Sequence, residues 1–255
     1  MSLLELDDVR VSYRTDHGLV HVVDGVGLTV EAGTTVGLVG ESGSGKSTLA
    51  KAIVGLAPVT RGEVRHRGVS VTRARGPRLR RLRERVQMVF QDPYASLNPR
   101  LTVGQLVEEP LREHTRLGRA ERRREVARLL GLVHLDEAVA ARYPFQFSGG
   151  QRQRIAIARA LAVSPELVIA DEITSALDVS VQATILNLLR ELQRETGIAF
   201  LFISHNLAVV RYLADSVAVM HRGRVVEDGP ARELFAAPRD PYTQALVAAV
   251  PRLRR

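Results

Sequence analysis

The chain has 255 residues, 45% of them hydrophobic, which suffices for one large α/β domain or for a core with a small helical insertion. The absence of cysteine argues against disulfides, a zinc site and an iron–sulfur cluster. No apolar stretch approaches the roughly 20 residues of a membrane span, and the N-terminus lacks the pattern of a signal peptide. We therefore expect a soluble, cytoplasmic protein that reaches a membrane only through partners.

The formal charge of +8 is concentrated in one segment. Between Arg61 and Arg85 there are ten arginines against Glu63 and Glu84, while the basic and acidic residues elsewhere cancel. One interpretation is a solvated basic face on a hairpin and short helix. Two functional interpretations are contact with nucleic acid and proximity to an anionic inner membrane leaflet. No aromatic residue interrupts the segment, so we expect no base-stacking platform. For the protein as a whole we expect no direct nucleic-acid partner.

The N-terminal part of the chain has the alternation of β-strands. Residues 4–13 and 21–30 predict a first pair, and an extended pair is predicted near residues 62–71. We assign residues 1–35 and 61–75 to an antiparallel β part. A short buried strand is predicted at residues 86–90, ending at Gln91.

A glycine-rich segment follows the apolar run at residues 35–39 and precedes a helical pattern at residues 49–54. The segment is Gly40, Glu41, Ser42, Gly43, Ser44, Gly45, Lys46, Ser47 and Thr48, and it fits the P-loop pattern G-x-x-x-x-G-K-[ST]. Its glycines allow successive N–H groups to point inward at a helix N-terminus and bind an anion. Lys46 would reach the β- and γ-phosphates, and the Ser47 hydroxyl would bind Mg²⁺. Lys46 and Lys51 are the only lysines in this arginine-rich chain, and lysine and arginine are not interchangeable at such a position.

The second half changes from helix to alternating strand and helix. Residues 102–140 carry apolar side chains at helical spacing, which predicts a helical subdomain inserted into the core. Strands at 167–170, 198–203 and 217–220, with helices at 179–195 and after His205, indicate a parallel sheet with crossover helices. We assign 36–60, 86–91 and 165–229 to this core, 100–163 to the helical subdomain and 230–255 to a helical C-terminal extension, all within a single domain.

Two further segments carry chemistry. The apolar strand before Asp171 and Glu172 places two carboxylates at its C-terminal end, where α/β sheets bind ligands. Behind a P-loop, Asp171 would hold Mg²⁺ through water and Glu172 would act as general base. The segment Ser148-Gly149-Gly150-Gln151 opens a helix, with Ser148 suited to an N-cap and glycines leaving backbone donors available for phosphate.

These segments, together with Ser175-Ala176-Leu177-Asp178 and Ser204-His205, come in the order and spacing of ABC-transporter ATPase subunits. The resemblance covers essentially the whole chain. It implies an α/β fold, with a P-loop NTPase parallel-sheet core, an N-terminal antiparallel β subdomain and an inserted helical subdomain. It also implies ATP hydrolysis with Mg²⁺ as cofactor.

The resemblance implies roles for individual residues. Tyr13 matches the aromatic residue that stacks on adenine, although a half-buried strand tyrosine is the simpler interpretation of that residue alone. Gln91 matches the glutamine that touches Mg²⁺ and the attacking water. His205 matches the histidine that contacts the γ-phosphate, and Asp178 matches an aspartate at the dimer interface.

In this family two ATPase domains form a head-to-tail dimer, with each ATP between the P-loop of one and the Ser-Gly-Gly-Gln segment of the other. The resemblance therefore implies a second ATPase subunit, a copy or a paralogue, as partner. It further implies two transmembrane permease subunits, an extracytoplasmic substrate-binding protein and a place at the cytoplasmic face of the membrane.

The segments 91–100 and 240–246 resemble those of oligopeptide, dipeptide and nickel importer ATPases. An importer of peptides or nickel is thus the leading hypothesis. An exporter ATPase, a DNA-repair or chromosome-organising ATPase and a translation factor are alternatives, although the last two classes carry additional modules or a second cassette. Phe147 and Ile173 replace the family's usual leucine and proline. Because both positions remain apolar, we expect hydrolysis to survive.

Overall fold

The computed structural model describes residues 2–16 and 18–249. The strands are β1 (Ser2–Thr15), β2 (Gly18–Glu31), β3 (Thr35–Val39), β4 (Arg61–His66), β5 (Val69–Ser70), β6 (Val86–Val89), β7 (Leu167–Asp171), β8 (Ala199–Ser204), β9 (Ser216–His221) and β10 (Arg224–Pro230). The helices are α1 (Lys46–Ile53), α2 (Gly76–Arg85), α3 (Pro93–Ser96), α4 (Val103–His114), α5 (Arg119–Leu132), α6 (Gly149–Leu161), α7 (Val179–Thr196), α8 (Leu207–Leu213), α9 (Ala231–Ala236) and α10 (Pro241–Ala248).

The chain folds as two compact units. The first unit comprises the described residues up to Arg83 and those from Ala199 onward, and the second unit is Glu84–Ile198. The fold is α/β: the first unit holds an antiparallel sheet and parallel strands, and the second holds a parallel strand pair together with helices α3 to α7.

The antiparallel sheet of the first unit has the strand order β2-β1-β4-β5. Strands β1 and β2 form a long hairpin in which Leu4 lies opposite Val30 and Tyr13 opposite Val20. Alternate side chains of these strands are buried, as the period of two requires. The strand pairs predicted from the alternation at the N-terminus and near residues 62–71 are confirmed.

The parallel strands of the first unit place two chain segments at one edge. Strand β3 pairs in parallel with β8 and with β9, so that Val39 lies opposite both Ser204 and Val219. All five residues of β3 and all six of β8 are buried, which explains their continuous apolar runs. The P-loop after β3 and His205 after β8 consequently leave the sheet side by side.

The second unit repeats this arrangement on a smaller scale. Strands β6 and β7 are parallel, with Val89 opposite Ala170, so Gln91, just after β6, and Asp171, the last residue of β7, come at neighbouring strand ends. Helices α4 and α5 confirm the predicted helical segment, and α4 starts with a capping box between Thr102 and Gln105.

The C-terminal part differs in one respect from the prediction. Strand β10, antiparallel to β9, occupies Arg224–Pro230, although its sequence has no regular alternation and ends in Gly-Pro. Helices therefore begin at Ala231 rather than Pro230, and α9 and α10 bear out the helical prediction as far as Ala248. The rest of the predicted helical extension, residues 250–255, lies outside the described residues.

Among the residues that the structure describes, no helix combines the length and apolar character needed to cross a membrane.

Candidate functional site

The P-loop forms in the first unit as the sequence predicts. It connects the buried strand β3 to helix α1, which begins at Lys46 after Gly45 in a left-handed conformation (φ +103°). Glu41, Ser42 and Gly43 are exposed, whereas Ser44 and Gly45 are buried. Ser47 and Thr48, in the first turn of α1, are half-buried. The loop thus combines an exposed rim with a buried base at a helix N-terminus, the geometry of an anion site.

Lys46 lies in the base of this loop. Its side chain is only 4% exposed, and its ammonium Nζ donates to the Gly40 carbonyl at 2.8 Å and to the Glu41 carbonyl at 2.7 Å. A third contact, 3.2 Å long, joins Nζ to the Ser44 hydroxyl. Burying a charge is costly unless it is hydrogen-bonded, and the loop carbonyls supply those bonds. The cation is therefore held inside the loop, where an anionic ligand would meet it.

The two outer glycines of the motif are required by close packing against neighbouring backbone. A Cβ atom at Gly40 would stand 2.1 Å from the Met220 carbonyl oxygen, and one at Gly45 would stand 2.4 Å from the Val22 carbonyl oxygen. The Gly223 amide also donates to the Ser44 carbonyl at 3.0 Å. The β9–β10 turn and strand β2 therefore enclose the loop, and no side chain fits at either glycine.

Two other predicted residues belong to the first unit. His205 is exposed and follows β8 directly, at the sheet edge from which the P-loop leaves. Tyr13 lies on β1 and is 41% exposed, so part of this residue is accessible to a ligand. Their roles toward a nucleotide remain predictions.

In the second unit, hydrogen bonds link the carboxylate strand to Gln91. Asp171 is buried at the end of β7, and Glu172 follows in a left-handed conformation with φ +50°. This conformation is strained for a residue with a side chain and often marks a functional position. The Ser175 hydroxyl donates to the Glu172 carbonyl at 2.8 Å and accepts from Gln91 Nε2 at 3.4 Å. Ser175 therefore connects two predicted catalytic residues, a link that sequence reasoning missed.

The segment Ser148–Gln151 caps helix α6. The Ser148 hydroxyl accepts from the Gln151 amide at 3.4 Å, and the Gln151 side chain accepts from the Ser148 amide at 3.1 Å. This reciprocal pair is a capping box and confirms Ser148 as the N-cap. Ser148 and Gly149 are exposed, but a Cβ at Gly150 would stand 2.3 Å from Val181 Cγ1. Gly150 is thus required by the packing of α6 against α7.

Asp178 is the N-cap of α7. Its carboxylate accepts from the Ser180 hydroxyl at 2.6 Å and from the Val181 amide at 2.9 Å. The Ser180 hydroxyl, followed by the Val181 amide, lowers the pKa of Asp178 from its ordinary value because both favour the carboxylate. Beside it Val179 is 82% exposed, an apolar side chain that is available to a partner.

The two departures from the family pattern are both buried. Phe147 is 4% exposed and lies under the guanidinium of Arg142, 4.6 Å from the ring centroid. Ile173 is 2% exposed. Both fill apolar positions, as expected from their type, and their effect on hydrolysis stays a prediction.

The described residues contain no cluster of three or more histidines or carboxylates that could hold a metal ion. The predicted Mg²⁺ ligands are a hydroxyl at Ser47, an amide oxygen at Gln91 and a carboxylate at Asp171. These are hard oxygen donors, and magnesium is commonly bound by one or two carboxylates together with substrate phosphates. Each of the three residue types is therefore chemically suited to Mg²⁺, and their role as its ligands stays a prediction.

Comparison with known proteins places the chain among relatives. The family model described as ABC transporter matches residues 23–175. A probable peptide ABC transporter ATP-binding protein of Sinorhizobium fredii is 54% identical over 94% of this chain and 68% of its own length. The oligopeptide transport ATP-binding protein OppF of Lactococcus lactis is 47% identical over 98% of this chain and 80% of its own length.

Solved structures agree with these relatives. The dimeric post-hydrolysis state of the ATP-binding cassette MJ0796, bound to ADP and phosphate, superposes with a TM-score of 0.82 at 33% identity, covering 90% of this chain and 99% of that one. The cassette cbiO1 of Clostridium perfringens gives 0.82 at 30% identity, covering 92% and 91%. By the P-loop geometry, the family match and these relatives, the chain belongs to the ABC transporter family.

Proposed function

We propose that this chain is the ATP-hydrolysing subunit of an ABC importer that takes up peptides, or nickel or related small solutes, through separate transmembrane subunits. The observation that carries the ATPase assignment is Lys46, buried inside the P-loop with its ammonium held by two loop carbonyls. Peptides are the leading substrate class because the relatives that match nearly the whole chain are named for peptide and oligopeptide transport.

The first unit binds the triphosphate. Loop amides and the N-terminus of α1 face the phosphates, and Lys46 adds a positive charge. Its contact with the Ser44 hydroxyl, at 3.2 Å the longest of the three, is the one that a phosphate oxygen replaces. Tyr13, which is partly exposed, stacks on the adenine, and His205 contacts the γ-phosphate.

The second unit supplies the chemistry. Glu172 accepts a proton from the water that attacks the γ-phosphorus, and Gln91 orients that water. The strained backbone of Glu172 and the Ser175 hydroxyl fix the start of the loop that carries the base. Ser47, Asp171 and Gln91 are the residues that would hold Mg²⁺, and the ion would supply positive charge to neutralise the phosphates.

A second ATPase subunit completes each site. Ser148, Gly149, Gly150 and Gln151 of one subunit face the nucleotide on the P-loop of the other, in a head-to-tail dimer. The exposed N-terminus of α6 and the exposed Val179 beside Asp178 support this interface, because both are accessible to a partner. The cassette MJ0796 was solved as a dimer with ADP and phosphate, which supports a dimer of ATPase subunits here.

Two transmembrane permease subunits hold the ATPase pair at the cytoplasmic face of the membrane, and an extracytoplasmic binding protein delivers the solute. The direction of transport is taken from relatives named for import, such as the putative peptide import ATP-binding protein of Brucella abortus, 49% identical over 97% of this chain.

The test is ATP turnover by the chain reconstituted with the membrane subunits that co-purify with it. We expect turnover to rise when the binding protein is loaded with peptide, and to be unaffected by DNA. Stimulation by DNA with no membrane partner found would contradict the transporter assignment, and solute movement out of the cytoplasmic compartment would indicate an exporter.

A further inference from the structure

The C-terminal helix α10 contacts the P-loop through one tyrosine. The hydroxyl oxygen of Tyr242, the second residue of α10, accepts a hydrogen bond from the Glu41 amide at 3.0 Å. Glu41 is the second residue of the P-loop motif, 201 positions away in the chain. The segment around Tyr242 has no role in the chemistry proposed above, although it touches the loop that carries Lys46.

The contact falls on the peptide unit that also holds the ammonium. The Glu41 N–H and the Gly40 carbonyl belong to one planar peptide unit. The Gly40 carbonyl accepts from Lys46 Nζ at 2.8 Å, while the N–H on the other side donates to Tyr242. Because the unit is planar, rotation at one end moves the other, so Tyr242 and Lys46 fix the same element from opposite sides. Hydrogen bonds in such a chain also strengthen one another.

Tyr242 is itself held in place. Its ring packs on that of His221, with centroids 3.9 Å apart. The Asp240 carboxylate caps α10 by accepting from the Tyr242 amide at 2.8 Å. The Glu227 carboxylate on β10 accepts from the amides of Arg239 and Asp240 at 2.9 and 3.0 Å. The hydroxyl thus stands at the end of a fixed segment rather than on a freely moving side chain.

At neutral pH the contact is made by a neutral phenol. Burial raises the pKa of Tyr242 above its ordinary value; the hydrogen bond from the Glu41 amide opposes this rise, and the Glu41 carboxylate adds to it. The phenol therefore remains neutral under physiological conditions, and no phenolate is brought toward the phosphates.

We propose that Tyr242 is a positioning residue for the P-loop, through which the C-terminal segment Asp240–Ala248 sets the affinity for nucleotide. The proposal rests on the function proposed above. It predicts an effect on binding rather than on the chemical step, since Tyr242 fixes the Gly40–Glu41 peptide and touches no residue assigned to proton transfer. Any event that displaces α10 weakens nucleotide binding at this site.

The experiment compares the full chain with its Tyr242→Phe variant, which keeps the ring and removes the hydroxyl. Dissociation constants for ATP and ADP are measured by fluorescence titration. We expect both constants to rise by about 2- to 10-fold, the effect of one lost neutral hydrogen bond. In steady-state assays we expect KM to rise by a similar factor while kcat at saturating ATP stays unchanged. A purely structural role would not produce this division between KM and kcat.

Two further variants complete the design. Tyr143→Phe removes a hydroxyl from an exposed tyrosine of the second unit, whose ring stacks on Phe145, and should leave both constants unchanged. Asp240→Ala loosens the start of α10 and should raise them in the same direction as Tyr242→Phe. If the unaltered chain binds ATP and the folded Tyr242→Phe variant binds it equally tightly, the positioning role of Tyr242 is overturned. Failure of the unaltered chain to bind ATP would instead overturn the proposed function.

Discussion

The two glycine-rich segments, each at the start of a helix, use their glycines for different reasons. In the P-loop, Gly40 and Gly45 admit neighbouring backbone carbonyls that close the loop around a buried lysine. In the Ser148–Gln151 segment, Gly150 admits the side chain of Val181, whereas Ser148 and Gly149 remain exposed. One segment is completed by its own unit, and the other presents an open helix terminus.

This difference suggests that the two segments have different roles, one in binding nucleotide within its own subunit and one in contacting a ligand held by another molecule. We expect a loop that already holds its cation and its supporting carbonyls to bind nucleotide without a second subunit. An exposed helix terminus without such an enclosure contributes only when another molecule brings a ligand to it. We therefore expect P-loop variants to lose binding, and variants of the second unit to lose turnover while binding is retained.

The largest expected effect is that of Glu172→Gln, in the second unit. Removing the general base should lower turnover by about 10²- to 10⁴-fold, while the dissociation constant for ATP stays within about 2-fold, because the P-loop is intact. Phosphate release and nucleotide titration measure the two quantities. Glu195→Gln, an exposed glutamate near the end of α7, is the matched control. Near-normal hydrolysis in Glu172→Gln would remove Glu172 from the mechanism.

Lys46→Ala should produce the opposite pattern in the first unit. Loss of charge-assisted hydrogen bonds to phosphate should weaken ATP affinity by about 10- to 100-fold. Lys51→Ala changes the only other lysine of the chain, exposed on the same helix, and should leave affinity unchanged. Equal affinities for Lys46→Ala and Lys51→Ala would show that the enclosed ammonium does not bind the nucleotide.

The sequence predicted the chemistry-bearing elements because each function demands particular residue types at a fixed spacing. The strand before Gly40, the cap at Ser148 and the helix after Asp178 all follow from such local requirements. Contacts between distant segments could not be predicted in this way. The Met220 carbonyl against Gly40, Val181 against Gly150 and Tyr242 against Glu41 depend on tertiary packing. Strand β10 escaped prediction because its pairing with β9 overrides a weak local pattern.

A smaller effect tests the packing role of Gly150. Gly150→Ala places a Cβ 2.3 Å from Val181 Cγ1, and such overpacking costs about 1–3 kcal/mol of unfolding free energy. Val181→Ala removes the clashing methyl groups. In the Val181→Ala background, Gly150→Ala should therefore lower the unfolding free energy much less than it does in the unaltered chain. Chemical denaturation of the four proteins measures the coupling. Additive losses would mean that Gly150 is not required by the contact with α7.

The central claim is that nucleotide bound to the P-loop of one subunit is enclosed by the Ser148–Gln151 segment of another. The most direct measurement is the mass of the Glu172→Gln chain by analytical ultracentrifugation with Mg²⁺-ATP, alone and with the ATPase subunit that co-purifies with it. We predict a stable dimer in ATP that separates into monomers in ADP, and no dimer when Lys46→Ala is added. A chain that binds ATP tightly yet remains monomeric with either partner would contradict the account.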